Sequence, residues 1–130
     1  MAETEKAKLL IVDDNEGVRH LVSRWLEKSG FSVREAKDGA EAIDKVRADP
    51  PDIILADIRM PKIDGIELAH IIKNDYPGIK IILMTAYSSP QTIAQARREG
   101  VDDYLEKPFT KDQVERITTE VLLGSEGSPR

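Results

Sequence analysis

Residues 53–57 read Ile53-Ile54-Leu55-Ala56-Asp57, four apolar residues in succession closed by a carboxylate. A run this short, without polar alternation, marks a strand covered on both faces, as in a parallel sheet. Leu9-Leu10-Ile11-Val12 has the same character and closes on Asp13-Asp14, and Ile79 to Met84 is a third such run. Strands of one parallel sheet end on a common edge, so these acids meet there. At about 5 Å and an effective dielectric near 20, each carboxylate pair repels by roughly 3 kcal/mol. Three acids kept together against that repulsion point to a divalent cation between them, and to an oxygen nucleophile.

Working outward, Phe31, Val33 and Glu35 alternate with Ser32 and Arg34, which predicts a half-exposed second strand at a sheet edge. Tyr104-Leu105 predicts a short fifth strand. Val18, Leu21, Val22, Trp25 and Leu26 follow the spacing of one helix face, with Gly30 as the stop. A second helix runs around Ala40, Ile43 and Val46 and ends at Pro50-Pro51. Asp64 with Glu67 reads as an N-cap and its N3 partner ahead of Leu68, Ala69, Ile71 and Ile72, ending at Pro77-Gly78. Ser89-Pro90 gives an N-cap and a proline at N1, with Ile93, Ala94 and Ala96 as the buried face. Thr110 and Gln113 form a capping box before Val114, Ile117, Val121 and Leu122.

Five alternations of strand and helix with short connections predict right-handed crossovers and an α/β fold, doubly wound, with helices on both faces of a parallel sheet. One domain is expected over residues 8–122. Residues 1–7 form a lead, and residues 123–130, which include Gly124-Ser125-Glu126-Gly127-Ser128, a disordered tail or the start of a linker.

A length of 130 residues suits one buried core. The formal charge of −5 argues against nonspecific binding to nucleic acid or anionic lipid by this domain. The absence of cysteine excludes disulfides, thiolate nucleophiles and zinc–thiolate sites. No apolar stretch approaches the roughly 20 residues of a membrane span, and Met1 to Lys8 lacks a secretory h-region, so a cytoplasmic location is expected.

Ligands of open parallel sheets bind beyond the carboxyl ends of the strands, where strand order reverses. The residues just past the predicted strands are Asp13 and Asp14, then Asp57, then Thr85, then Lys107. Carboxylate oxygens are hard ligands suited to Mg²⁺, and a carboxylate can also attack phosphorus to give an aspartyl phosphate. A lysine places a point charge on a phosphoryl oxygen, and a threonine hydroxyl can donate to another. Positioning and charge neutralisation are most of what phosphoryl transfer asks of a protein.

These residues resemble the receiver domains of two-component response regulators. The resemblance runs from Lys8 to about Leu122. It rests on Ile11-Val12-Asp13-Asp14, on Asp57 with Met60-Pro61 and Asp64-Gly65, on Thr85-Ala86, and on Asp103-Tyr104-Leu105 with Lys107-Pro108-Phe109. It implies a flavodoxin-like sheet of order 2-1-3-4-5; that order comes from the family, in which a chemotaxis protein is the standard example, and not from the periodicity. By the same resemblance Asp57 is the phosphoacceptor, supplied by a phosphohistidine on a histidine kinase or phosphotransfer protein. Asp14, Asp57 and the main-chain carbonyl of Arg59 bind Mg²⁺, and Asp13 acts through a water. Lys107 pairs with the phosphoryl group or, before transfer, with Asp57, and Lys107-Pro108 is a cis peptide. Thr85 and Tyr104 are switch residues that alter the surface of the fourth helix, fifth strand and fifth helix. Arg59 and Tyr87, each two residues past a pocket residue, are expected to flank the acyl phosphate and lengthen its lifetime.

The expected function is therefore a phosphorylation-dependent signalling switch rather than an enzyme, a monomer before phosphorylation with dimerisation afterwards left open. It is either a single-domain regulator or relay intermediate, or the regulatory domain of a longer protein. An aspartyl-nucleophile phosphatase of the haloacid-dehalogenase type is the enzymatic rival. That class resembles Asp-x-Asp at its nucleophile, whereas this chain has Asp13-Asp14 adjacent and Asp57-Ile58-Arg59. His20 and His70 lie within helices outside the pocket motifs and are expected at the surface.

Overall fold

The apolar runs at residues 9–12, 53–56 and 81–84 are buried on both faces, each residue at most 1% exposed. The fold is described by a computed structural model covering residues 6–86 and 88–124. The predicted lead and tail therefore fall partly outside the described residues, as does Tyr87. Five strands, β1 (Lys8–Val12), β2 (Ser32–Ala36), β3 (Ile53–Asp57), β4 (Lys80–Thr85) and β5 (Asp103–Glu106), alternate with five helices. The helices are α1 (Glu16–Lys28), α2 (Gly39–Ala48), α3 (Gly65–Asp75), α4 (Pro90–Arg98) and α5 (Lys111–Leu122).

All strand pairs are parallel, in the order β2-β1-β3-β4-β5. The chain leaves β1 for the β2 edge and returns past β1 to β3, so order reverses between β1 and β3. Successive strand residues point to opposite faces, and the core accordingly divides in two. Leu10, Val12, Ile54, Ala56, Ile81 and Leu83 pack with α2, α3 and α4. Leu9, Ile11, Ile53, Leu55, Ile82 and Met84 pack with α1 and α5. Each fully buried Leu or Ile contributes about 1.5–3 kcal/mol, which is why these strands carry no polar alternation. β2 pairs only with β1 and is largely half-buried, as its alternating sequence required.

Local signals place the helix starts. Asp64 with Glu67 and Thr110 with Gln113 both form complete capping boxes, and Ser89 caps α4 ahead of Pro90. α1 is capped by Asn15, whose side chain accepts from the Val18 N–H. Gly30 lies at φ 104°, the left-handed region that favours glycine after a helix.

Three packing expectations are corrected. Leu21 is 48% exposed, because the buried stripe of α1 centres on Val22 and Leu26 and Leu21 falls at its margin. Ala94 faces solvent and Ile93 is only half-buried, so α4 anchors through Ala96 alone among its buried positions. In α2 Ala40 is exposed, and Ala42 takes the buried place beside Val46. Among the described residues no helix is long and apolar enough to cross a membrane.

Candidate functional site

The reversal point between β1 and β3 gathers the predicted acids. Asp13 and Asp14 follow β1, Asp57 ends β3, and one carboxylate oxygen of each lies within 4.8 Å of the others. Asp13 is fully buried and Asp57 is 8% exposed, whereas Asp14 faces solvent. The loop after β1 closes on itself: the Asn15 N–H donates to Asp13 Oδ1 at 2.9 Å, and the Asp13 N–H to the Ala36 carbonyl at 3.2 Å.

Lys107 reaches this group from beyond β5. Its Nζ lies 3.3 Å from Asp57 Oδ2 and 3.4 Å from Asp13 Oδ2, so a single ammonium bridges two carboxylates. The Lys107 N–H donates to the Thr85 carbonyl at 2.7 Å, tying the end of β5 to the end of β4. The Lys107-Pro108 peptide is cis. Thr85 itself is buried at the same sheet edge.

Burial, the largest effect, pushes the Asp57 carboxyl above the usual aspartate range. The neighbouring Asp13 charge pushes the same way, against the Lys107 ammonium and the Arg59 backbone N–H. Three carboxylates share one ammonium, so the group as a whole keeps formal negative charge. An all-oxygen donor set with a solvent-facing member and surplus negative charge fits a hard divalent cation such as Mg²⁺.

Other expected residues lie around this cup. Arg59 is exposed on the loop after β3. Tyr104 is half-buried on β5, packs against the α2–α3–α4 side of the core, and is not part of the acidic group. Tyr87 lies outside the described residues. His20 and His70 are at the surface, each beside a glutamate: His20 Nδ1 is 3.0 Å from Glu35 Oε1, and His70 Nδ1 is 2.6 Å from Glu99 Oε1.

Two contributions were not read from the sequence: the reason for Gly65, quoted there only as part of the family motif, and the part played by Arg19. A Cβ at Gly65 would fall 2.4 Å from the Asp57 carbonyl oxygen and 2.9 Å from Ile58 Cα. Only glycine lets α3 begin this close to the end of β3, where the Gly65 N–H donates to the Ile58 carbonyl at 2.8 Å. Arg19, on α1, donates to the Asp13 carbonyl. The signal for Gly65 was its place directly after an N-cap, where glycine is otherwise a poor helix former. Arg19 gave none, since an arginine on a surface helix is ordinary.

The family profile of the response regulator receiver domain matches residues 9–119. The chain belongs to that family. Among curated relatives, the DNA-binding transcriptional regulator NtrC of Proteus hauseri is 34% identical over 119 residues, covering 88% of this chain and 25% of that protein. The response regulator MprA of Mycolicibacterium vanbaalenii is 36% identical over 107 residues, covering 82% of this chain and 46% of that one. The receiver domain thus spans less than half the length of these two relatives. Among solved structures, a CheY-like receiver domain protein from Methanospirillum hungatei superposes with a TM-score of 0.90 at 28% identity, covering 95% and 98% of the two chains. Chemotaxis protein CheY4 of Vibrio cholerae gives 0.86 at 30% identity, covering 90% and 99%. The flavodoxin-like topology is shared with these neighbours.

Proposed function

We propose that this receiver domain is a phosphorylation-driven switch in which Asp57 accepts a phosphoryl group. The observation that carries the reading is the bridged group itself: three carboxylates within 4.8 Å beside one lysine, at the sheet edge where strand order reverses. Asp14, Asp57 and the Arg59 carbonyl would hold Mg²⁺, with Asp13 acting through a water. When bound, the cation neutralises the acids and the phosphoryl oxygens.

An Asp57 oxygen attacks the phosphorus of a phosphohistidine on a histidine kinase or phosphotransfer protein. The new O–P bond forms as the N–P bond breaks, and the imidazole leaves and regains its proton from solvent. Lys107 shifts from bridging Asp13 and Asp57 to the incoming phosphoryl oxygens. Thr85, at the end of β4, donates its hydroxyl to one of them.

Output runs through Tyr104. A cavity of about 60 Å³ lies beside it, lined by Ile93, Ala96 and Val101, and an open groove of about 410 Å³ separates β5 from α5. Inward movement of the ring reshapes the α4–β5–α5 face and alters partner binding, in a free-standing receiver or in one joined to a further domain. Arg59 and Tyr87 set the lifetime of the acyl phosphate. Arg59→Ala with Tyr87→Ala is expected to hasten its hydrolysis about 3-fold, which corresponds to about 0.7 kcal/mol of barrier; an unchanged rate would refute that role.

The decisive experiment is incubation with Mg²⁺ and a small acyl phosphate. A base-labile mass increase on Asp57, absent in Asp57→Asn and in chelator, is the expected result. An unmodified protein after prolonged exposure would overturn the reading.

A further inference from the structure

Arg19 makes two bonds that the proposed chemistry leaves unused. Its Nη1 donates to the Asp13 main-chain carbonyl at 2.9 Å, and its Nε donates to Glu35 Oε1 at 2.8 Å. The side chain is only 13% exposed, and Glu35 sits one residue from the end of β2. The two acceptors belong to different elements, the loop after β1 and the edge strand, and one planar guanidinium spans them.

The Asp13 carbonyl belongs to the peptide unit that leads into Asp14. That unit is planar, so fixing its oxygen also fixes the direction in which the chain enters Asp14. The other side of Asp13 is fixed by its N–H bond to the Ala36 carbonyl at 3.2 Å, again at the end of β2. Asp14 is the exposed member of the acidic group and has no burial to hold it in place. Glu35 is a firm anchor. Burial pushes its carboxyl up, yet the hydrogen bonds from Arg19 and His20 outweigh this and hold it below the usual glutamate range. It is therefore ionised at neutral pH, and the bond from Arg19 is charge-assisted.

We infer that Arg19 is a positioning residue for the divalent-cation site, bracing the Asp13–Asp14 peptide against Glu35 of the edge strand so that the Asp14 carboxylate stays aimed at the cation. The inference rests on the Mg²⁺ reading above. Position and charge make opposite demands here, which makes it testable. A guanidinium near the cup repels a cation, so a purely electrostatic Arg19 would be one whose removal tightens Mg²⁺ binding. A bracing Arg19 is one whose removal weakens it.

The test is calorimetric titration of Mg²⁺ into the unphosphorylated full chain as wild type, Arg19→Lys, Arg19→Gln and Glu35→Ala, with urea unfolding of each in chelator. Arg19→Lys keeps the charge, but an ammonium on an unbranched stem cannot reproduce the two-pronged bridge. Loss of a residue that orients a metal ligand commonly weakens binding about 10-fold or more. Arg19→Lys and Arg19→Gln are expected to raise the Mg²⁺ dissociation constant about 10-fold, and Glu35→Ala, which frees the far end of the brace, by about 3-fold. Folded Arg19 variants that bind Mg²⁺ as tightly as wild type, or more tightly, would overturn the inference even if their chelated stability fell, since that is the mark of a merely structural residue. If the Arg19 variants do not fold, Glu35→Ala decides by the same criterion. A wild-type chain that binds no Mg²⁺ would instead overturn the metal reading, and this inference with it.

Discussion

Replacing Asp57 by asparagine in the metal-free protein isolates the strain in the acidic cup. At an effective dielectric near 20, Asp13, within 4.8 Å, repels the Asp57 charge by at least about 3.5 kcal/mol, and Lys107 at 3.3 Å attracts it by about 5 kcal/mol. Asp14 faces water and adds about 1 kcal/mol of repulsion, so the pairwise terms nearly cancel. What is left is the cost of burying the carboxylate, the largest cause of the raised Asp57 pKa. For a group this buried that cost is about 1–3 kcal/mol. Asp57→Asn should therefore be more stable than wild type by that amount in chelator at pH 7, by urea unfolding. The sign of the pH dependence follows. With its folded-state pKa raised, Asp57 binds more protons folded than unfolded between about pH 3.9, the unfolded value, and the raised value. Wild type should lose stability as pH rises through that window, and the advantage of the variant should vanish below it. Mg²⁺ should stabilise wild type more than the variant. A variant less stable than wild type in chelator at pH 7 would refute the reasoning.

Three further outcomes are expected. Lys107→Met leaves two buried acids without their cation, and should destabilise the chelated protein by about 2–4 kcal/mol. Asp57→Asn in the same chain should restore part of that loss, and additive effects in the double mutant would contradict the bridge. Gly65→Ala forces a Cβ against the Asp57 carbonyl and should cost about 2–3 kcal/mol in thermal or urea unfolding, together with weaker Mg²⁺ binding. Thr118→Val removes a fully buried hydroxyl that has no hydrogen-bond partner among the described residues, and should raise stability by about 1 kcal/mol. A destabilised Thr118→Val would mean that the hydroxyl has a partner in solution.

The strands were legible because both sheet faces are covered, which leaves residues 53–56 and 9–12 no freedom to be polar. Helix starts were legible where a cap is a chemical signature, as at Asp64 and Thr110. Helix faces were less so. Leu21 and Ala94 obey the apolar spacing yet face solvent, because periodicity locates a stripe but not its width. The meeting of Asp13, Asp14, Asp57 and Lys107 was legible from strand ends alone. The brace from Arg19 and the close approach at Gly65 were not, since one depends on how far a side chain reaches between elements and the other on how closely two backbones meet, and no local pattern encodes either.

The acids of the cup come from two neighbouring strands, while the ammonium between them comes from past the far edge strand, 94 residues from Asp13 along the chain. A partial chain ending before β5 could pair β1 with β3 and still carry its carboxylates with nothing between them. Addition of the last strand is thus what relieves the charge, and the bridged pocket comes into being only once the segment beyond β5 has closed on the sheet. The site doubles as a check on the integrity of the whole sheet.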